Sequence, residues 1–326
     1  MRVSGKKISH YIKPMLATAI DKPFDGDEWL FELKLDVYRA IAELNGVKTL
    51  LYSRNGLDLS KIYPPIAEAL RKIKITAVID GEIVVLDEEG KPSFQELQNY
   101  TAQSKLPLLY YVFDILSFDN HQLKDIPLIE RKKMLKKIIG KKGVIRYCNH
   151  ILNEGKSYFN QIKKEKLEGI MAKKKDSFYY PGVRTKEWLK IKNNHSQEAI
   201  IVGYTAPKGR RLYFGSLLLA EYKGKKLKYI GHTGTGFNTT SLRELMAEMK
   251  KLVIDKSPLS PVPKANGAVT WIRPKLVCEV RFTEVTKEGS LRHPVYKGLR
   301  IDKASKAVKE ETEKELPVKK LVHSSK

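Results

Sequence analysis

The 326-residue chain carries 61 Lys and Arg against 37 Asp and Glu, a formal net charge of +24 with pI near 9.7; this favours a polyanionic partner and leaves DNA, RNA and an acidic membrane surface open. Its two cysteines, Cys148 and Cys278, are far apart and have no second Cys or His at ligand spacing, so neither a disulfide framework nor a zinc site is indicated. No run approaches the roughly 18 to 20 apolar residues of a membrane span, and "MRVSGKKISHYIKPMLA" lacks the apolar core of a secretory signal, so a soluble, cytoplasmic protein in a reducing setting is expected.

The length and a hydrophobic fraction of 42% suit two domains, each with its own core. In chain order the first clear strand is "WLFELKLD". Its period of two places Glu32, Lys34 and Asp36 on one face and Trp29, Phe31 and Leu33 on the other, so the charged face looks into a cleft. The helix-like "YPPIAEALRKI" follows, then "ITAVIDGEIVVLD", where Gly81 interrupts a β-branched run before Glu82 and marks a bulge or a close backbone approach. The strand "LLYYVFDILSF" and the helix "PLIERKKMLKKIIG" come next. "LEGIMAKK" sets Glu168 beside Gly169, and "EWLKIK" points Trp188, Lys190 and Lys192 one way and Leu189 and Ile191 the other. This alternation over about residues 28 to 192 predicts an α/β or α+β domain.

The polar "NNHSQ" near residues 193 to 197 marks a boundary. Beyond it "EAIIVGY", "YFGSLLLAEY", "LKYIGHT" and "LVCEVRFTEVT" read as strands, with "KGKK" (223 to 226) as a hairpin turn. One helix, "SLRELMAEMKKL", is expected to open with a capping box from Ser241 to Glu244 and to bury Leu242, Leu245, Met246 and Met249. A small β-barrel of the OB type accommodates that order. From about residue 304 the chain is charged without a sustained apolar face and reads as a tail or linker, and no internal repeat is evident.

A charged strand face or a basic run is by itself usually only a solvated surface. Two lysine-bearing strands together with isolated carboxylates are, however, what metal-assisted nucleotidyl transfer needs. Lysine attacks phosphorus as the free amine, so neighbouring cations are expected to lower its pKa while carboxylates hold the metal.

Over about residues 12 to 303 these segments resemble the ATP-dependent DNA ligases of the covalent nucleotidyltransferase superfamily. "KLDVYR" matches the family's Lys-x-Asp-Gly-x-Arg at Lys34, Asp36 and Arg39 and departs from it at Val37. The resemblance implies an α+β fold: an ATP-grasp-like nucleotidyltransferase (adenylation) domain over 1–194, an OB-fold domain over 195–303 and a charged tail over 304–326. It implies Lys34 as the nucleophile that takes AMP, assisted by Asp36 and Arg39, with Glu32 reading the adenine amino group. "SRNG" brings Arg54 to the ribose and phosphate, "DGE" brings Glu82 to ribose or metal, and Phe113 of "YYVFD" stacks on adenine. "EGIMAK" supplies Glu168 as a metal-facing carboxylate together with Lys173, and "WLKIK" sets Lys190 and Lys192 against the AMP phosphate. "GLRIDK" gives Arg300, Asp302 and Lys303 to the pyrophosphate of ATP.

ATP, as covalent AMP, and Mg2+ or Mn2+ held by Asp36, Glu82 and Glu168 are the cofactors so implied. "EVRFTEVTKEGSLRHPVYKGLRIDK" is especially close to the ligase modules of bacterial non-homologous end-joining enzymes. There is no room for a large helical DNA-binding domain before Phe31, so a minimal two-domain ligase is expected, free-standing or cut from a larger end-joining enzyme. It would act as a monomer on nicked or broken duplex DNA, with a Ku-type end-binding protein as a partner and no membrane. Basic residues of "ERKKMLKKIIGKK" and "YTAPKGRRLY" would contact DNA phosphates. The alternatives are an RNA ligase or capping guanylyltransferase, and a non-catalytic DNA-binding homologue impaired by Val37, since glycine serves where φ is positive or a ligand comes close.

Overall fold

The computed structural model describes residues 11–308 apart from 36, 46–47, 102, 140–142, 194, 208, 210, 266, 287 and 303–304. Among these residues the strands form three large sheets and one two-stranded ribbon. The first sheet runs in the order Leu16–Ala19, Arg184–Lys192, Gly169–Lys174, Gly26–Leu33, His150–Asn153. The second runs Thr49–Ser53, Tyr38–Asn45, Thr76–Val85, Leu108–Phe118, His121–Gln122, with Ile145–Tyr147 pairing parallel to Leu108–Phe118.

Alternation decides what each sheet presents to the other. Leu30 and Trp188 of the first sheet pack against Ile41, Tyr52, Phe113 and Leu116 of the second, forming an inter-sheet cluster. Their neighbours Trp29, Phe31, Leu189 and Ile191 point to the outer face, where Ile162 of the helix Gly155–Lys164 covers them. The opposition of Trp188 to Leu189 and Ile191 is therefore as expected. The outer face of the second sheet packs Ala40, Ile83, Tyr110 and Val112 under Ile66 and Leu70 of the helix Pro64–Arg71. Gly81 lies at a bulge in the ladder to Leu108–Phe118, and a Cβ there would collide with the Tyr111 carbonyl and stand 2.7 Å from the Tyr110 ring.

The third sheet runs Lys226–Thr233, Leu217–Lys223, His195–Thr205, Val269–Phe282, Val253–Ile254, with Val295–Leu299 also on Val269–Phe282. The hairpin turn falls at Gly224 and Lys225, and Gly224 takes φ +63°, open to a residue without Cβ. The helix Thr239–Lys250 buries Leu245 and Met249 and packs Leu242 and Met246, as expected. Its cap, however, is one turn earlier than Ser241. Extended Asn238 accepts from the Ser241 amide at 2.8 Å, while the Ser241 hydroxyl accepts from the Asn238 amide at 2.9 Å. Serine satisfies the cap from the third helical position, so Glu244 is not needed for it. The chain goes on packing beyond residue 303, since Val308 is buried and its carbonyl accepts from the Tyr222 amide. No described helix is long and apolar enough to cross a membrane.

The basic helix Leu128–Ile138 corrects one expectation. Leu128, Arg131, Lys132 and Leu135 follow i, i+3, i+4, i+7 spacing and form its buried face, so two of the cations expected on DNA phosphates are internal. Arg131 makes a two-pronged pair with Asp114 at 2.7 and 2.9 Å. Removing one partner of a fully buried pair leaves the other charge desolvated and alone. Arg131→Met is expected to lower unfolding free energy in denaturant titration by about 3 to 5 kcal/mol, and Arg131→Met with Asp114→Leu to regain much of that loss.

Candidate active site

The strand Gly26–Leu33 ends one residue short of Lys34, so only Glu32 of the expected three-charge face is inside it. Ile170 opposite Leu33 is the last pair of the ladder; past it Lys34 donates its amide to the Gly169 carbonyl at 2.9 Å. Gly169, at φ +150° and with no space for a Cβ beside the Ile191 carbonyl, lets its strand approach Arg184–Lys192 closely at this end. Asp36 and Lys303, expected in the site, lie outside the described residues.

Lys34 Nζ stands 2.5 Å from Glu168 Oε1, both side chains mostly buried. Its immediate neighbour is thus a carboxylate, where cations were expected. The other oxygen, Glu168 Oε2, is buried without a hydrogen-bond partner. Half-buried Glu82, on the second sheet opposite Arg39, has its carboxyl pushed up to about 7 by burial; Lys34 and Arg39 oppose the rise and Glu168 adds to it. An orphaned carboxylate oxygen beside a second carboxyl that resists ionising fits a divalent cation. Among the described residues no group of three His, Cys, Asp or Glu side chains gathers, so substrate phosphates and water would complete the coordination.

Glu32 is 2% exposed and paired on both sides, with Lys132 Nζ on Oε1 and Lys173 Nζ 2.6 Å from Oε2. Burial acts to raise its pKa, but the two ammonium groups outweigh this and hold it below the usual carboxylate range. Lys173 Nζ also lies 3.9 Å from the centroid of the Phe113 ring and 4.2 Å from that of Trp188. Lys173 therefore lies over the Phe113 ring, the aromatic expected to stack on adenine.

Arg39, expected to assist catalysis, is a strut between elements. It binds Asp80 at 2.6 and 3.0 Å and the Met15 carbonyl at 2.5 Å, and the Tyr179 hydroxyl donates to the same Asp80 at 2.6 Å. Arg54 is half-buried, its pKa pushed down to about 10 by burial and then by Arg39, with Asp302 opposing. Lys190, expected against the AMP phosphate, lies opposite Met171 in the ladder of the first sheet. Lys192 instead reaches Ser196 after the strand, donating to its carbonyl at 2.5 Å and its hydroxyl at 3.0 Å.

The third sheet closes against this region. Asn55 donates to the Asp302 carbonyl at 2.5 Å, and Tyr38 and Gln98 donate to that of Leu299. Arg300 pairs with Asp302 through two 2.9 Å bonds and lies over Tyr38 and Phe94 at 5.8 and 5.5 Å. Arg300, expected to meet a pyrophosphate, is thus occupied within the protein in this arrangement. Sequence reading missed Lys132, Asp80 and Tyr179. For Lys132 a signal existed, its helical spacing from Leu128 and Leu135.

Val37 is 5% exposed and belongs to the outer cluster with Leu35 and Tyr38, whereas Phe113 belongs to the inter-sheet cluster. Core packing accounts for a branched residue at this position and weakens the impairment reading. Val37→Gly is expected to lower unfolding free energy by about 2 to 3 kcal/mol in a denaturant titration. Because Glu82 binds its proton more tightly folded than unfolded, its contribution to stability falls as pH rises from about 4.5 to 7. Glu82→Gln removes that cost, so the variant should exceed the parent in stability at pH 8 by on the order of 1 to 3 kcal/mol and match it at pH 4, as read by thermal unfolding.

Family models match both halves: an ATP dependent DNA ligase domain over residues 14–192 and an ATP dependent DNA ligase C terminal region over 210–303. The chain is 36% identical over 316 residues to the multifunctional non-homologous end joining protein LigD of Pseudomonas aeruginosa, covering 94% of this chain and 37% of that protein. To LigD of Mycolicibacterium smegmatis it is 36% identical over 296 residues, covering 89% and 38% respectively. It therefore spans well under half the length of these relatives. A solved mycobacterial DNA ligase D, described as complexed with ATP and MES, aligns with TM-score 0.67 at 34% identity, covering 92% of this chain and 98% of that one. The ligase domain of Mycobacterium tuberculosis LigD aligns with TM-score 0.52 at 33% identity and the same coverage. Agreement of sequence and fold across both sheets of the cleft and the barrel that closes on it places this chain in the family of ATP-dependent DNA ligases.

Proposed function

We propose that the chain seals nicked or broken duplex DNA in end joining, through a lysyl-AMP on Lys34. The observation that carries this reading is the position of Lys34, at the exit of a strand, 2.5 Å from Glu168 and beside the region of Glu82, between two sheets that present Glu32 and Phe113. The Lys34 amine must be neutral to attack, and Glu168 is the group placed to take its proton. Nζ then bonds the α-phosphorus of ATP as the bond to the pyrophosphate leaving group breaks. Next a 5′-phosphate oxygen of DNA takes the AMP and frees the amine. Finally the 3′-hydroxyl attacks that 5′-phosphorus, giving up its proton as AMP leaves.

Mg2+ or Mn2+ held by Glu82 and Glu168, with Asp36, would supply charge neutralisation at the phosphates. Glu32 and Phe113 select the base by edge and face, Lys173 leaving the ring as it enters. Arg54, Lys190 and Lys192 meet the ribose and phosphates, while Arg39 keeps Phe113 and Asp80 in place. The adenylation unit spans 1–194 and the OB unit 195–303; the hinge falls between the strands Arg184–Lys192 and His195–Thr205, shorter than the expected 193 to 197, because His195, Ser196 and Gln197 pair with Phe282, Arg281 and Val280. Arg300, Asp302 and Lys303 serve the pyrophosphate when the two are closed. The excess of 24 positive charges supports binding to DNA phosphates, and the chain acts as a monomer, with a Ku-type protein delivering the ends.

Purified protein incubated with ATP and magnesium is expected to gain the mass of one AMP. The gain should be lost in Lys34→Ala and discharged by nicked duplex with sealing. A parent protein that stays unmodified in an intact-mass spectrum would rule the reading out.

A further inference from the structure

Lys132, expected from the sequence only as one of several cations on DNA phosphates, is instead buried between the two sheets. Its ammonium is fully buried, and its three protons have three acceptors: Glu32 Oε1, the Phe113 carbonyl at 3.3 Å and the Cys148 carbonyl at 3.3 Å. Glu32 belongs to the first sheet and Phe113 to the second, so one side chain fixes a carboxylate against the backbone of the facing aromatic. Burial acts to lower the pKa of Lys132, but the Glu32 carboxylate outweighs it and holds the ammonium above the usual lysine range. The helix that carries Lys132 is itself bolted down at the preceding residue. Arg131 binds Asp114, next to Phe113, and donates to the Ser177 carbonyl at 3.0 Å.

The two lysines on Glu32 are not equivalent. Lys173 shares the other oxygen, and its remaining contacts include two aromatic faces, which a stacking base can replace. Lys132 is tied to two backbone carbonyls that do not move independently of the sheets. We propose that Lys132 is the positioning residue for base selection: it holds Glu32 charged and aimed at the exocyclic amino group of the purine, at a distance from Phe113 set by the two carbonyls. This rests on the reading that Glu32 meets the base edge. Lys132 touches no substrate and acts through Glu32.

The test compares ATP with purine riboside triphosphate, which lacks the exocyclic amino group, as donors for covalent modification of Lys34, scored as kcat/KM by intact mass. The parent is expected to prefer ATP by roughly tenfold or more. Lys132→Met should shrink that preference to within about threefold by losing rate with ATP alone, whereas Lys132→Arg, which keeps the charge, should restore part of it. Thermal unfolding runs beside each variant. Should Lys132→Met fail to fold, Glu32→Gln with Lys132→Met is compared with Glu32→Gln alone: equal preference supports action through Glu32, and a further loss overturns it. An undiminished preference in Lys132→Met, with the preference lost in Glu32→Gln, overturns the role of Lys132 and leaves that of Glu32 standing. A preference intact in Glu32→Gln overturns the reading of Glu32 and this inference with it.

Discussion

The carboxylate of Glu32, shared between Lys132 and Lys173, ties the inner face of one sheet to the backbone of the other, and the rest of the cleft is arranged around that desolvated contact. A charge taken out of water is tolerated only where opposite charges and hydrogen bonds surround it. The same constraint recurs at Arg39 with Asp80 and at Arg131 with Asp114, each reaching from one element to another. These pairs add less to net stability than equal apolar packing would. They supply orientation, because a carboxylate held from both sides has little freedom to turn.

Lys34 and its surroundings are built differently. Glu168 keeps one oxygen without a partner, and burial, with a smaller push from Glu168, raises the Glu82 carboxyl against the pull of Lys34 and Arg39. Such a site is electrostatically incomplete by itself, and that incompleteness is what phosphates and a divalent cation can use. Glu32, paired on both oxygens, and Glu168, with one oxygen unpartnered, are thus held in contrasting electrostatic states within one cleft.

Closure of the barrel draws on the same residues. Arg300 is neutralised by Asp302 while it lies over Tyr38 and Phe94, and Lys192 is held by Ser196 just past the end of its strand. Both cations are therefore neutralised or hydrogen-bonded inside the protein, and an anionic ligand would have to compete with these partners for them.

The sequence by itself determined the local patterns: the opposition of Trp188 to Leu189 and Ile191, the bulge at Gly81, the hairpin at Gly224 and the buried face of the barrel helix. Each follows from a period or a backbone preference written into neighbouring residues. Family motifs also carried Lys34, Glu82, Phe113 and Glu168. Only the tertiary structure decided that Glu168 abuts Lys34, that Arg39 is a strut, that Asn238 caps a helix expected to begin at Ser241, and that Lys132 meets Glu32 from 100 residues away. Lysine in a basic helix looks alike in sequence whether it faces water or a carboxylate. The choice is made by the packing of sheets and helix, which sets what lies opposite each side chain and whether water remains to compete for its charge.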